Sequence, residues 1–365
     1  MPDYLNSIKP VVRALKPYSL AVNEAPIKLN QNENPFDLPA VIKEESVRRF
    51  MNTAWARYPD FVPTSLMEKL STHAAWTPDG IIVGNGSNEI LNAVFAVTIA
   101  KGEKVLLSEP TFAIYRQTAT VLDAEIVSVP LTTDFRHDVP ALRRAIEQHQ
   151  PVVTVICSPN NPTGTIITDD DLKSLLEVAQ GLIVLDEAYW EFAGHTFVPL
   201  MHEHPNLIVT RTFSKALALA ALRVGYLMAS PALATEIRKA VLPYNINGFS
   251  NIVAETALEY YDTELAPLVA RMITERDRMF DLLSRIEGIA PRPTHANFIL
   301  TRTTRLSPAR LYDELFARDI LVRDVSGHPM LKDYVRIGVG TPEETDALVV
   351  ALKSIYELNN QHQAV

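Results

Sequence analysis

The chain has 365 residues, 47% of them hydrophobic and 21% charged, the make-up of a soluble globular protein long enough for a large core and two domains. A net charge of −9 argues against a broad nucleic-acid or anionic-membrane surface, while leaving room for a local arginine pocket that takes an anion. The single Cys157 forms no internal disulfide, no apolar run approaches the roughly 18 residues of a membrane span, and the N-terminus has prolines and lysines where a signal peptide needs an apolar stretch; the expected location is the cytoplasm.

Residues 1–29 carry Pro2, Pro10, Pro17 and Pro26 and read as an arm with one short helix, packed with the smaller domain. The polar loop LNQNENPFDLP follows, with a turn at Asn34-Pro35. Apolar positions Val41, Ile42, Val47, Phe50 and Met51 predict a helix over 40–56, and a second is expected over 64–75. From residue 81 to about residue 230 short apolar runs alternate with helical patterns, which predicts a mostly parallel sheet covered by helices on both faces. This α/β domain is expected over 30–250. The rest, 251–365, reads as a long helical region over 251–287 and then a smaller α+β domain. Its last helix opens Thr341-Pro342-Glu343-Glu344, a capping box with proline at the first helical position.

In an open α/β sheet, ligands bind outside the carboxyl ends of the strands, and four sequences there stand out. Gly84-Asn85-Gly86-Ser87-Asn88 runs directly into a helix, so its free N–H groups and dipole suit a phosphate; many glycine turns bind nothing, however, and this is neither a Walker loop nor a dinucleotide fingerprint. Asn161, in Asn160-Asn161-Pro162-Thr163-Gly164, has an amide free to donate a hydrogen bond, although a plain Asn-Pro turn is the default for that segment alone. Asp186 ends the apolar run 181–185, where a carboxylate is costly unless something cationic, a helix cap or an ion pair meets it. The stretch 207–223, LIVTRTFSKALALAALR, predicts a buried strand, a turn and an Ala/Leu-rich helix, with Lys215 in the turn. A lysine desolvated there has a lowered pKa, and the neutral amine is the nucleophile that forms a Schiff base. Together with Arg223 these groups describe a site for pyridoxal phosphate: a lysine nucleophile, a phosphate cradle, a carboxylate for the ring nitrogen and an amide for the phenolic oxygen.

The order G-S-N-E, N-P-T-G, D-E-A-Y, T-x-S-K and L-R-V-G-Y resembles the fold-type I aminotransferases of the aspartate aminotransferase superfamily. LNQNENP, RYPD, PYNIN and YVRIGVG narrow the resemblance to the histidinol-phosphate aminotransferase family, nearly end to end. The resemblance implies a fold-type I large domain with a mostly parallel seven-stranded sheet, plus a smaller α+β domain. It implies that Lys215 forms the Schiff base and afterwards shuttles a proton between the substrate carbon and the cofactor, and that Asp186 pairs with the pyridinium nitrogen. Tyr189 and Asn161 would hydrogen-bond the phenolic oxygen; Ser87, Asn88, Thr212, Ser214 and Arg223 would hold the phosphate; Tyr115 would stack on the ring. Tyr58 would reach the phosphate from a neighbouring subunit, which implies a homodimer. Arg336 would clamp the carboxylate of glutamate, and Tyr18, Arg323 and Arg336 would take the phosphate of L-histidinol phosphate.

The implied reaction exchanges an amino group between L-histidinol phosphate and 2-oxoglutarate, by ping-pong chemistry, in histidine biosynthesis. Aromatic amino acid aminotransferases and threonine-phosphate decarboxylases share this scaffold and stay open as alternatives. A PLP-sensing regulator would need a basic DNA-binding segment ahead of the domain, and a non-catalytic phosphate binder would have no use for Lys215, Asp186 and Tyr189 together. The chain departs from the family's G-L-A-G-L-R at Ala218 and Ala221, and from its commoner GSDE at Asn88; neither change removes a catalytic group. His202-Glu203-His204 lies in a loop before Pro205 and lacks metal-ligand spacing, so no metal is expected, and Cys157 reads as core.

Overall fold

The structure is a computed structural model and describes residues 3–16 and 23–363; the expected phosphate ligand Tyr18 lies outside them. The chain opens with α1 (Pro10–Ala14), β1 (Ile27–Lys28), α2 (Ala40–Met51) and α3 (Thr64–Ala74). The alternating stretch follows as β2 (Ile81–Gly84), α4 (Ser87–Thr98), β3 (Lys104–Glu109), α5 (Ala113–Val121), β4 (Glu125–Pro130), α6 (Val139–His149), β5 (Val153–Cys157), α7 (Asp169–Val178), β6 (Leu182–Asp186), α8 (Trp190–Ala193), β7 (Leu207–Thr212), β8 (Gly225–Met228) and α9 (Pro231–Arg238). The strands form one seven-stranded sheet in the order β2-β8-β7-β6-β5-β3-β4. Strands β3 to β7 pair in parallel, and β8 runs antiparallel to both its neighbours.

The apolar runs are continuous because the central strands are buried on both faces. Leu106, Ile156, Leu185 and Val209 belong to one core cluster, while their strand neighbours Leu107, Val155, Val184 and Ile208 belong to the cluster on the opposite face. Two of the helices between strands start on side-chain caps. Asp138 accepts from the Ala141 N–H ahead of α6, and Thr168 from the Asp171 N–H ahead of α7, whose first turn is triply acidic.

The Ala/Leu-rich run after Lys215 does not form the expected helix. Ala218 (φ 58°) and Arg223 (φ 55°) lie in the left-handed region, and Ala220–Leu222 makes a single 3₁₀ turn. The Leu219 N–H bonds the Phe213 carbonyl and the Phe213 N–H bonds the Val224 carbonyl, so the chain doubles back. Burial of Ala216, Leu217 and Leu219 rewards this loop and overrides helix propensity. Alanine in a left-handed conformation costs roughly 1–2 kcal/mol, and glycine's freer unfolded chain takes back roughly 0.4–1 kcal/mol of any relief. Ala218→Gly is therefore expected to raise the stability in urea unfolding by roughly 0.5–1 kcal/mol; a clear loss would contradict this backbone.

The C-terminal half comprises α10 (Gly248–Glu259), a π-helical turn (Tyr261–Leu265), α11 (Ala266–Leu283), β9 (Ile289–Pro291), β10 (Phe298–Thr303), α12 (Pro308–Phe316), β11 (Ile320–Leu321), β12 (Arg323–Asp324), β13 (Tyr334–Gly338) and α13 (Pro342–Gln363). A four-stranded sheet, β12-β13-β10-β9, forms the floor of the small domain. The core does not divide at 250. Helix α10 packs on α2 and α3, and α11 crosses between the bodies: Val269 and Met272 join the large-domain core, Met279 and Leu283 the small-domain core. The arm is likewise shared rather than confined to the small domain. β1 pairs with β11 and Leu29 enters the small-domain core, whereas α1 lies on α5, with the Lys9 ammonium on the Val121 carbonyl and on Asp123. The capping box of α13 closes in both directions, Glu344 N–H to Thr341 Oγ1 (3.2 Å) and Thr341 N–H to Glu344 Oε2 (2.8 Å). Among the described residues, no helix is long and apolar enough to cross a membrane.

Candidate active site

The carboxyl ends of β3, β5, β6 and β7 and the start of α4 converge on a cleft of about 590 Å³, closed from the small-domain side by β12, β13 and the loop between them. Residues 30–32 cross it as a strap. Lys215 projects from the loop after β7, half-buried, and its Nζ donates to the Gln31 carbonyl at 2.9 Å. Burial first, and then the positive charge of Arg336, pull its pKa down to about 8. The capture rate of pyridoxal phosphate by the apoprotein is therefore expected to climb with pH and level off just above 8, as the amine loses its proton. A profile still climbing toward pH 10 would show that this lysine is not desolvated.

Asp186 ends β6 in a buried position. The Ala188 N–H donates to its Oδ1 at 3.0 Å and the Tyr115 hydroxyl donates to its Oδ2. Burial raises the carboxyl pKa, and the hydrogen bond from Tyr115 opposes the shift. This contact corrects the role expected of Tyr115. Its side chain is fully buried behind Asp186 and meets Phe112 edge-on at 5.5 Å, so it has no ring face open for stacking. The half-buried Phe112, one helical turn earlier, lines the cleft beside it.

Asn161 follows β5. Arg336, on β13, donates to Asn161 Oδ1 at 2.7 Å and to the Asn30 carbonyl at 2.6 Å. The Asn161 Nδ2 is thereby turned toward the Tyr189 hydroxyl at 3.4 Å, and Asn32 Nδ2 donates to the same hydroxyl at 3.0 Å. Burial holds the Tyr189 phenol well above its usual pKa, so it keeps its proton.

At the other end of the cleft, Gly86 (φ 84°) turns the chain into α4, whose first residues are Ser87 and Asn88. A Cβ on Gly86 would sit 2.6 Å from an Arg223 guanidinium nitrogen, and one on Gly225 would sit 2.2 Å from the Ser87 nitrogen. Side-chain-free backbone is what lets the helix start, β8 and Arg223 crowd together. Arg223 also reaches Ser214 Oγ at 3.2 Å, and Thr212 Oγ1 accepts from the Ser214 N–H at 3.1 Å. Free helix N–H groups, a guanidinium and two hydroxyls form a cradle of the right chemistry for a phosphate dianion.

Arg323 and Arg336 are paired in register across β12 and β13. Like charges opposite one another on neighbouring strands repel unless an anion joins them. Arg336 is held by Asn161 and Asn30, whereas the side chain of the half-buried Arg323 makes no hydrogen bond or ion pair among the described residues and lines the cleft. Tyr58 is not among the cleft's lining residues; it is 80% exposed and stacks on Tyr244 at 4.5 Å, and the exposed Phe61 meets the same Tyr244 edge-on at 5.5 Å. Sequence reasoning gave the strap no role. Its signal in the sequence is the family-like stretch LNQNENP, dense in asparagine, which says nothing of what each side chain contacts.

The family model for class I and II aminotransferases matches residues 24–352. The chain belongs to that family. As an aminotransferase it is 36% identical over 355 residues to the histidinol-phosphate aminotransferase of Chlorobium phaeovibrioides, with 97% of this chain and 98% of that protein aligned. To its counterpart in Chlorobium phaeobacteroides it is 37% identical over 353 residues, covering 96% and 97%. Among solved structures it is similar to the histidinol-phosphate aminotransferase from Clostridium acetobutylicum, with a TM-score of 0.84, 26% identity and coverage of 90% and 98%. The enzyme of the same name from Sinorhizobium meliloti, solved in complex with pyridoxal-5′-phosphate, superposes with a TM-score of 0.85 at 23% identity over 95% and 96%, a likeness of fold. This aminotransferase is a pyridoxal phosphate-dependent enzyme, and the residues at the cleft fit that cofactor: a desolvated lysine, a buried carboxylate and a phosphate cradle share one pocket.

Proposed function

We propose that this enzyme transfers the amino group between L-histidinol phosphate and 2-oxoglutarate, as a step of histidine biosynthesis. The observation that carries the reading is the Arg323–Arg336 pair facing each other beside Lys215, one of them without a partner among the described residues. Glutamate bears its carboxylate on the amine-bearing carbon. Histidinol phosphate bears its phosphate one carbon and one ester oxygen further out, so its anion calls for a second guanidinium set back from the first. Arg336, already fixed by Asn161 and Asn30, suits the nearer carboxylate; Arg323 suits the more distant phosphate. The relatives at 36–37% identity are themselves named histidinol-phosphate aminotransferases, which supports the same substrate.

In this reading Lys215 is the nucleophile and then carries the proton to and from the substrate carbon. Asp186 keeps its charge with help from Tyr115 and holds the ring nitrogen protonated. The bound cofactor supplies an electron sink. Tyr189 and Asn161 serve the phenolic oxygen, and Ser87, Asn88, Thr212, Ser214 and Arg223 hold the phosphate. Tyr58 serves the cleft of a second copy, because its exposed cluster with Tyr244 and Phe61 suits a covered surface and not its own site; the working unit is then a homodimer. The enzyme works in the cytoplasm, where its lone, buried Cys157 stays reduced.

Growth tests the substrate directly. A bacterial strain lacking its own histidinol-phosphate aminotransferase is expected to grow without histidine when it expresses this chain, and to fail with the Lys215→Ala variant. Failure of the wild-type chain, expressed and loaded with cofactor, would refute the proposed substrate.

A further inference from the structure

The Tyr189 hydroxyl accepts two side-chain hydrogen bonds in the cleft. Asn32 Nδ2 donates to it at 3.0 Å and Asn161 Nδ2 at 3.4 Å. The orientation of Asn161 is settled by chemistry, since only its carbonyl oxygen can accept from the Arg336 guanidinium at 2.7 Å. A phenolic oxygen has two lone pairs and one proton. With an amide on each lone pair, the proton is left to a third direction, and among the described residues Tyr189 donates it to nothing.

Asn32 is built into place for this contact. It is 2% exposed, its backbone is left-handed at φ 54°, and its carbonyl is held by Asn297 Nδ2 at 3.0 Å. Asparagine tolerates that conformation better than most side chains. Its neighbours on the strap use only backbone: the Asn30 carbonyl takes Arg336 and the Gln31 carbonyl takes Lys215. The side chain of Asn32 is thus the strap's one direct side-chain contribution to Tyr189.

We propose that Asn32 is a positioning residue that aims the Tyr189 proton at the phenolic oxygen of bound pyridoxal phosphate. The inference rests on the reading of Tyr189 given above. A proton donated to the phenolic oxygen weakens that oxygen's hold on the neighbouring proton of Lys215 Nζ once it is linked to the cofactor. The pH at which this nitrogen titrates is thereby held down, and loss of Asn32 lets it rise.

The test is the pH midpoint of the visible absorbance change of the loaded protein, read beside the melting temperature of the apoprotein. Asn32→Gly removes the amide while suiting the positive φ, and is expected to raise the midpoint by roughly half a pH unit to one unit, the worth of one neutral hydrogen bond. Asn32→Asp keeps the shape but replaces the donor by an acceptor that draws the Tyr189 proton away, so a larger rise is expected. Tyr189→Phe sets the ceiling, and adding Asn32→Gly to it is expected to change the midpoint no further. If Tyr189→Phe raises the midpoint while Asn32→Gly and Asn32→Asp only lower the melting temperature, Asn32 is structural and the proposal is overturned, with the role of Tyr189 intact. If Tyr189→Phe itself leaves the midpoint unmoved, the reading of Tyr189 fails and takes this inference with it.

Discussion

Lys215→Ala is expected to abolish transamination, lowering turnover on the order of 10⁴-fold or more, because it removes the covalent link and the proton carrier together. Neither job has a deputy in the cleft. Lys215 is the only lysine among the lining residues, and the guanidinium groups of the lining arginines do not serve as amine nucleophiles. Position adds to identity. The pKa of about 8 leaves a usable fraction of neutral amine near neutral pH, which an exposed lysine would lack. The phosphate cradle around Arg223, Ser214 and the start of α4 is untouched by the change, so the variant is expected to bind pyridoxal phosphate without the absorbance of a lysine Schiff base. Substrate turnover and absorbance, measured on the same sample, check both statements. Full activity in the variant would refute the assignment of the site.

Arg323→Ala is expected to split the two half-reactions. Losing a guanidinium that makes two charge-assisted hydrogen bonds to a phosphate, each worth roughly 1.5–3 kcal/mol, lowers the rate constant kcat/KM for histidinol phosphate by on the order of 10²–10³-fold or more. The glutamate half-reaction is expected to stay within a few-fold of wild type, because Arg336 keeps its hydrogen bonds to Asn161 and Asn30. Arg323 has no partner among the described residues to leave behind, so its removal strands no buried charge there. Single-turnover rates with each amino donor decide the matter. Equal losses with both would show that the two arginines do not divide the anions in this way.

Much of the large domain was legible in the sequence because its information is local. Buried parallel strands read as apolar runs, as in Leu182–Leu185 of β6 and Leu207–Val209 at the start of β7, and capped, acidic helix starts such as that of α7 announce themselves within four residues. Lys215, Asp186 and Asn161 stood out for the same reason: polar groups at the ends of apolar strands need an explanation. What was missed depends on distant partners. Nothing local says that Ala218 takes a positive φ, since helix propensity favours a helix there and only the closure of Phe213 onto Val224 forbids it. Phe112 and Tyr115 lie three residues apart on one helical turn, so both face the same way, and sequence does not tell which lies deeper. Tyr115 is the deeper one, under Asp186. The asparagines of the strap act through contacts with residues 157 to 306 positions away, a span no spacing rule covers. The boundary within α11 was hidden because one continuous helix serves two cores.

The most direct measurement is a single-turnover absorbance titration of the purified, pyridoxal phosphate-loaded protein, first with histidinol phosphate and then with phenylalanine. Loss of the resting cofactor band at micromolar histidinol phosphate, with phenylalanine far less effective, is the predicted result. Reaction with phenylalanine and none with histidinol phosphate would contradict it, and would leave Arg323 without the phosphate it is proposed to hold.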